Sequence, residues 1–482
     1  MTAPQATAAH RTQVAIVGAG PAGIAAAVAA AAAGARVTLV DEGVRPGGQI
    51  YRQAPADFAE SAAAGPAAPD AGHSPGHARG AALLRALAQV EVDVLAGTTV
   101  WDASPTRLAC ERSGEAHVLE CERLILAPGA YDLTLPFPGW TLPGVITAGA
   151  AQVMVRGFRV APGSRALVAG TGPLLLPTVT ALLAAGTTVV AAVEANGKVA
   201  RLRAGLGMLR SRARLREAFH YLHALDQHGV DYRTGWTLLR VDGTDAVASA
   251  TIGRIDRAGR VQAGSEQVLE VDVVCTGYGL VPSIELARLL GCEMHYVALR
   301  GGHLPVHDAD MQSSVPGVFV AGEIAGIGGA DVAEAEGTIA GMAAARSLGL
   351  SVPDEAPRLR AARRARARER RVSDALLAAF SVPPGLYDLA DDDTVVCRCE
   401  DVSLGQLRAT ADLFGRDLRS AKMGSRAGMG PCQGRICQAS VFALLRRRLG
   451  GTEDRMPCPS VQVPVKPVRV ATILATRNAA GG

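Results

Sequence analysis

The stretch "QVAIVGAGPAGIAAAVAAAAAGARVTLVDEG" (residues 13–43) decides the fold. Gln13 to Val17 is a short apolar run of the kind that forms a buried parallel strand. Gly18, Gly20 and Gly23 then spell G-x-G-x-x-G, with Pro21 and Ala22 opening the helix inside it. The first glycine permits a tight turn, the second lets a pyrophosphate approach the backbone, and the third lets the helix pack closely on the sheet. The Ala-rich helix offers its N-terminal dipole to such an anion. "ARVTLV" (35–40) reads as the next strand, ending at Asp41 and Glu42. Asp41 stands 18 residues beyond Gly23, where a carboxylate accepts hydrogen bonds from an adenosine ribose. A glycine-rich turn without a ligand would not need all these parts in register. The stretch predicts a dinucleotide-binding α/β fold.

Downstream, "RALVAGTGPLLLPTVTALLAAGTTVVAAVEAN" (165–196) repeats the design. Gly170 and Gly172 are kept, but Leu175 takes the third glycine position and pushes helix from sheet. Pro177 falls in the first helical turn, where it is tolerated. Glu194 ends the second strand and would repel a 2′-phosphate, so a nucleotide here would be NAD-like. Two readings stay open: a second nucleotide site for NAD or another adenine nucleotide, or a retained fold whose site is empty or non-redox.

Bulk properties narrow the class. A chain of 482 residues exceeds what one core usually supports. Hydrophobic residues make up 49% and charged residues 20%, a globular balance. The net charge of +4 is small, and the basic residues are not clustered with aromatics, so no nucleic-acid footprint is read. The nine cysteines are an odd number, and "MTAPQATAAHRTQ" has no apolar signal-peptide core. Reduced thiols and a cytoplasmic setting are expected, peripheral to the membrane at most through an electron acceptor. The uncharged Ala/Gly-rich run near the start is too weakly apolar for a transmembrane segment.

Three further stretches follow the first loop in order. "RPGGQIYR" (45–52), with Gly48 and Gln49, resembles the segment lying along FAD in two-dinucleotide-fold flavoproteins such as thioredoxin reductase. "RLILAPGA" (123–130), with Ala127 and Gly129, resembles their strand ending in a small-residue turn. "GVFVAGEIAG" (317–326) resembles their late motif, in which an acid after a glycine meets the ribityl chain; here these are Gly322 and Glu323. Together they imply FAD. The C-x-x-C pair that disulfide reductases carry beside the flavin is missing before residue 397. Electrons leaving this FAD need another outlet.

"VVCRCEDVSLGQ" (395–406) and "GMGPCQGRICQ" (428–438) supply one. Cys397, Cys399, Cys432 and Cys437 are four soft ligands, enough for a [2Fe–2S] cluster or a tetrahedral zinc. C-x-C cannot close into an unstrained disulfide. The spacing resembles the bacterioferritin-associated-ferredoxin type of [2Fe–2S] domain, with glycines at 424, 428, 430 and 434 to bring amides near the sulfurs. A flavin on the same chain favours the redox cluster. Ser403 would cap a helix over 403–415 between the ligand pairs.

The whole order of motifs, with "GTGPLLLP", "CTGYGLVPS" (275–283) and "AGEIAGIGGA" (321–330), resembles the large FAD subunit of multi-subunit, dye-linked amino-acid and opine dehydrogenases. That group includes the hydrogen cyanide synthase, octopine/nopaline oxidase and D-hydroxyproline dehydrogenase complexes. Glu323 and Leu175 depart from its pattern; the four cysteines match it. The resemblance implies a two-dinucleotide-domain α/β flavoprotein with a small helical [2Fe–2S] domain. It also implies a partner flavoprotein, similar to glycine or D-amino-acid oxidase, that oxidises the substrate. Some complexes add a small ferredoxin-like [2Fe–2S] subunit. This chain would pass electrons to a quinone or other carrier, and no residue in it is assigned acid–base catalysis, His303 and His307 included. The alternative is a self-sufficient NAD(P)H-dependent reductase of a ferredoxin-like acceptor. A third reading, a zinc-bearing scaffold, would lack redox function.

The expected plan is an FAD domain over 1–140 and 280–350, a second nucleotide domain over 141–279, and an Arg-rich linker over 351–390. A cluster domain over 391–455 and an extended tail over 456–482 complete it. Residues 53–80 are Ala/Pro/Gly-rich and predict a surface loop or insertion. "PRLRAARRARARERR" (357–371) predicts a charged helix packing on acidic neighbours.

Overall fold

The computed structural model describes residues 10–53, 75–209, 211–414, 418–449, 458 and 460–478. The opening stretch forms strand β1 (His10–Val17), helix α1 (Pro21–Ala31) and strand β2 (Val37–Val40). Val14, Ala15 and Ile16 are wholly buried because β1 is central, running parallel to β2 on one side and to β6 (Glu115–Leu126) on the other. With β3 (Asp93–Leu95), β4 (Thr98–Ser104) and β5 (Arg107–Arg112), the order is β3-β2-β1-β6-β5-β4. A late strand, β12 (Val318–Val320), returns to pair in parallel with the end of β6, making seven strands among the described residues.

Helix α4 (Ala330–Ser347) explains why α1 is so rich in alanine. A Cβ added at Gly337 or Gly341 would fall 2.0 or 2.3 Å from the carbonyl oxygens of Ala22 or Ala26. The two helices touch backbone to backbone, and larger side chains would separate them.

A second sheet, all parallel, has the order β10-β9-β8-β11-β7. Its strands are β7 (Val145–Thr147), β8 (Arg165–Gly170), β9 (Thr188–Glu194), β10 (Asp231–Thr234) and β11 (Val273–Gly277), with helix α3 (Leu175–Ala184) crossing from β8 to β9. A three-stranded antiparallel sheet over 236–270 packs beside it.

The arginine-rich stretch lies in helix α5 (Glu355–Ala379). Arg366 and Arg370 both reach Glu336 on α4, at 2.9 and 2.8 Å, and Glu336 is fully buried. Arg370 also donates to the carbonyls of Gly326 and Ile327, at 2.9 Å each. A buried charge fully paired in this way fixes the helix on the first sheet's partner.

Beyond α5 a small helical unit has its own core, including Leu404, Leu407, Ala411, Val441 and Leu445. It contains the hairpin β13 (Val395–Cys397) and β14 (Val402–Ser403), then helices α6 (Leu404–Phe414), α7 (Leu418–Ser425) and α8 (Gln438–Leu449). Ser403 caps α6 as expected: its hydroxyl accepts from the Gln406 amide at 3.2 Å, and the Gln406 side chain accepts from the Ser403 amide at 2.9 Å.

Two expectations change. Residues 75–80 of the supposed loop open helix α2 (Pro75–Ala88), because Leu83 and Leu87 further along it are buried in the core around the first sheet; residues 54–74 lie outside the described residues. The tail is extended only to about residue 469 and ends in helix α9 (Val470–Asn478), anchored by buried Ala475 and Thr472. Among the described residues no helix is long and apolar enough to cross a membrane.

Candidate functional site

The first glycine turn has no space for side chains. Gly18 adopts φ +102°, and a Cβ there would lie 2.1 Å from the carbonyl oxygen of Ala127; one on Gly23 would lie 1.7 Å from that of Gly18. Turn, helix α1 and the end of β6 are thus in direct backbone contact. Gly20 caps α1, Pro21 takes an opening helical position, and no acid in the first turn offsets the helix dipole. Gly48, with φ +62°, faces Gly20: its Cβ would lie 2.7 Å from the Gly20 Cα. Gly322, with φ +81°, abuts Ala22, and Gly129, with φ +80°, follows β6. The four separated motifs of the sequence converge on one turn.

The Asp41 carboxylate accepts from the amides of Ala19 and Gly43, the latter at 2.6 Å. Burial raises its pKa, and those two amides pull it back. Glu42 is exposed and pairs with Lys466 of the tail at 3.0 Å, and Lys466 stands 5.7 Å from the Tyr131 ring. The Gln49 side chain accepts from Arg52. Glu323 is folded onto its own loop, accepting from the amides of Gly328 at 3.1 Å and Gly329 at 2.8 Å; burial raises its pKa against those bonds. Lys466 and Tyr131 carry no motif and are not legible from the sequence, whereas Arg52 closes the "RPGGQIYR" stretch.

The second turn keeps the shape with different filling. Gly170, with φ +148°, would place a Cβ 1.9 Å from the carbonyl oxygen of Gly277 on β11. Leu175 is 1% exposed; its side chain fills the space left by Gly277, whose added Cβ would lie 3.0 Å from the Leu175 Cδ2. The expected separation of helix from sheet is absorbed by that glycine. Glu194 is 1% exposed and spends both oxygens on backbone amides, those of Gly172 at 2.9 Å and Asn196 at 2.8 Å. Burial raises its pKa.

Cys397, Cys399, Cys432 and Cys437 line one cavity of about 370 Å³. The four thiols lie close enough to influence one another, Cys437 acting most strongly on Cys397. Among the described residues no three His, Cys, Asp or Glu side chains are grouped to hold a single metal ion. The contact from Cys437 draws the Cys397 thiol down to about 5, burial opposing it and the Gly428, Glu400 and Cys399 amides assisting. The Gly428 amide lies 3.4 Å from the Cys397 sulfur. A Cβ at Gly430 would lie 2.4 Å from the Cys399 Cβ, so this glycine is required by contact; Gly424 is exposed on α7. Cys399 is exposed, whereas Cys397 and Cys437 are buried.

The opposite wall of the cavity comes from the segment joining the two sheets, including Thr134, Leu135, Phe137 and Trp140. Thr134 donates to the Ile436 carbonyl at 2.8 Å and accepts, through its own carbonyl, from Ser440; Trp140 Nε1 donates to the Val395 carbonyl at 2.5 Å. A larger cavity, about 630 Å³, separates Tyr131 and His303 from Gly434 and Arg435 of the helical unit. His303 sits on the strand Gly302–Pro305 and packs its ring 5.9 Å from Phe442, a structural position.

Comparison with known proteins agrees with this geometry. The family described as "Pyridine nucleotide-disulphide oxidoreductase" matches residues 12–337. The opine oxidase subunit designated A, from Rhizobium meliloti, is 32% identical over 479 residues, covering 95% of this chain and 86% of the relative. Hydrogen cyanide synthase subunit HcnB of Pseudomonas protegens is 32% identical over 452 residues, covering 90% and 92%. The crystal structure of L-proline dehydrogenase from P. horikoshii shares the fold at a TM-score of 0.67, with 20% identity over 97% of this chain and 80% of that one. A helix N-terminus with crowded glycines, a carboxylate at the end of β2 and a glycine facing the loop fit the FAD that such proteins hold. This chain is an FAD-dependent oxidoreductase of the pyridine nucleotide-disulphide oxidoreductase family, in the same group as HcnB and the opine oxidase subunit.

Proposed function

We propose that this chain is the electron-transferring FAD/[2Fe–2S] subunit of a heteromeric dehydrogenase acting on an amino acid, an opine or a related secondary amine. The C–N oxidation itself takes place on a partner flavoprotein resembling glycine or D-amino-acid oxidase, and in some complexes a small ferredoxin-like subunit joins them. Names of the relatives support the partner, since both are subunits.

The observation that carries the reading is the arrangement of the thiols. Four cysteines that share one cavity, with no three of them grouped to hold a single ion, suit a two-iron cluster that spreads its thiolates over two metals better than one tetrahedral zinc, which needs all four sulfurs about a single point. Cys397, Cys399, Cys432 and Cys437 would hold it, with the Gly428 amide polarising the Cys397 sulfur. FAD, when bound at Gly18–Gly23, supplies the change from paired to single electrons. Asp41 would orient the adenosine ribose, and Gly20 and Gly48 would let its pyrophosphate reach the backbone. Thr134 and Trp140 fasten the thiol unit onto the segment that joins the two sheets. Exposed Cys399 marks the side from which the next acceptor approaches.

Protein purified anaerobically with its partner is expected to contain flavin, two irons per chain and no stoichiometric zinc. Changing any one of the four cysteines to serine is expected to remove the iron while leaving flavin bound. Flavin with stoichiometric zinc and no iron would end the electron-relay reading. Flavin bleaching by opines or amino acids should require the partner flavoprotein; bleaching by the isolated chain would place the C–N oxidation here.

A further inference from the structure

Helix α5 ends at the second glycine loop. There the chain leaves the helix through Phe380, and its next carbonyls are taken up by loop side chains. The Thr171 hydroxyl donates to the Phe380 carbonyl at 3.1 Å, and the Asn196 side-chain amide donates to the Ser381 carbonyl at 3.0 Å. The same Asn196 amide donates to the Thr171 hydroxyl at 2.7 Å, so the two donors are coupled. On its free side Gly172 meets nothing but Phe380: an added Cβ would stand 4.0 Å from the Phe380 Cβ.

The strand of chain then stays on the second fold. A Cβ on Gly259 would lie 2.9 Å from the Pro383 Cβ, the Gly385 amide donates to the Ala258 carbonyl at 2.7 Å, and Leu386 is fully buried with Tyr278 and Ile255. A dinucleotide would need this same place. Its pyrophosphate belongs over Gly172 and its ribose against Glu194. Here the carbonyls of 380 and 381 lie on the loop and turn their negative ends toward it, held by Thr171 and Asn196.

We infer that the second dinucleotide fold is an interaction surface for this chain's own segment 380–386, which holds the position of a nucleotide and keeps NADH and NADPH out. The occupant is covalently attached, so an outside nucleotide competes with a local concentration in the millimolar range. A strap seated 99% of the time would weaken nucleotide binding by about 100-fold. None of the strap contacts named above is with a cysteine.

The test uses the full, FAD-loaded chain and hydrogen exchange at residues 380–386. NADH at about 1 mM, the upper end of ordinary Michaelis constants, is expected to leave the flavin oxidised, and ADP-ribose at the same concentration to leave exchange unchanged. The double substitution Thr171→Val/Asn196→Ala removes both side-chain donors and is expected to speed exchange there by about tenfold with FAD content retained. Thr171→Ser, which keeps the hydroxyl, should exchange like the parent. Flavin bleaching by NADH, or faster exchange at 380–386 on adding ADP-ribose, would show a nucleotide displacing the strap and overturn the inference. So would exchange in the parent as fast as in a free peptide. If the double variant fails to fold, the nucleotide titrations of the parent decide alone.

Discussion

The two glycine loops of this chain have nearly the same backbone and opposite fillings. In both, a glycine at positive φ ends a parallel strand and lies under 2.2 Å, measured from a Cβ it lacks, from a neighbouring carbonyl: Gly18 against Ala127 and Gly170 against Gly277. In the first loop the third glycine, Gly23, lets α1 touch the turn, and Asp41 remains half-buried beside it. In the second, Leu175 fills that space, Glu194 is sealed, and the chain's own Phe380 and Ser381 lie on the mouth. The comparison teaches that a dinucleotide fold and a dinucleotide site are separable. The glycines that make the turn build the fold; the third glycine and the state of the acid decide the site.

Grafting one filling onto the other should break the first loop completely. Gly23→Leu puts a side chain 1.7 Å from the Gly18 carbonyl, where no rotamer escapes the backbone. A loss of about 4 kcal/mol or more is expected, with FAD absent from the purified protein. Retention of stoichiometric flavin in that variant would mean that helix and turn can separate without harm.

The reverse graft has a smaller effect and a different outcome. Leu175→Gly empties a fully buried site, and about 3–5 kcal/mol should be lost to the cavity and to glycine in a helix. FAD should stay, since Leu175 packs with Val168, Val179 and Val273 of the second fold. No NADH binding should appear, because the strap and Glu194 are unchanged. Calorimetry and flavin absorbance on one sample check both halves of the claim.

Gly277 then measures how the larger residue is housed. Gly277→Ala adds a methyl 3.0 Å from Leu175 and 3.2 Å from Ala148, with an expected cost of about 1–3 kcal/mol for overpacking. In a Leu175→Ala background that cost should fall by about 1 kcal/mol, the coupling expected of residues in contact. Additive losses would mean that Gly277 is small for the sake of the Gly170 turn and not for Leu175.

Much of this was legible in the sequence, and the rest was not for a definite reason. Strand, turn, helix and strand at 13–43 and 165–196 are local patterns, as is the Ser403–Gln406 cap, and each forms where the residues predict. The thiols were visible as types and spacings, and the cavity they share with Thr134 and Trp140 was not. What could not be read is contact between distant segments: Phe380 with Thr171, Lys466 with Glu42, Thr134 with Ile436. No periodicity records such meetings, because each uses a backbone carbonyl or an ordinary side chain. Helix α2 is a different case. Leu83 and Leu87 are four residues apart and marked an apolar face that the Ala/Pro/Gly composition around them concealed.

The smallest expected effect tests the acids. Burial raises the pKa of Glu194, so the folded chain keeps this proton to a higher pH than the unfolded chain does. Between the unfolded value of about 4.3 and the raised folded value, the folded state therefore binds more protons, and stability falls as pH rises through that window before levelling off. Glu194→Gln has no such proton to lose. It should match the parent near pH 4 and gain on it as pH rises, by about 1.4 kcal/mol for each pKa unit of the shift. Unfolding by urea at the two ends of the window, with flavin content followed, reads that difference directly. Asp41 is raised in the same direction, yet Asp41→Asn should weaken flavin retention if, as proposed, its carboxylate orients the ribose. If Glu194→Gln instead lost ground as pH rose, the second loop would be stabilising a charged acid for a ligand, and the two loops would differ in their occupant alone.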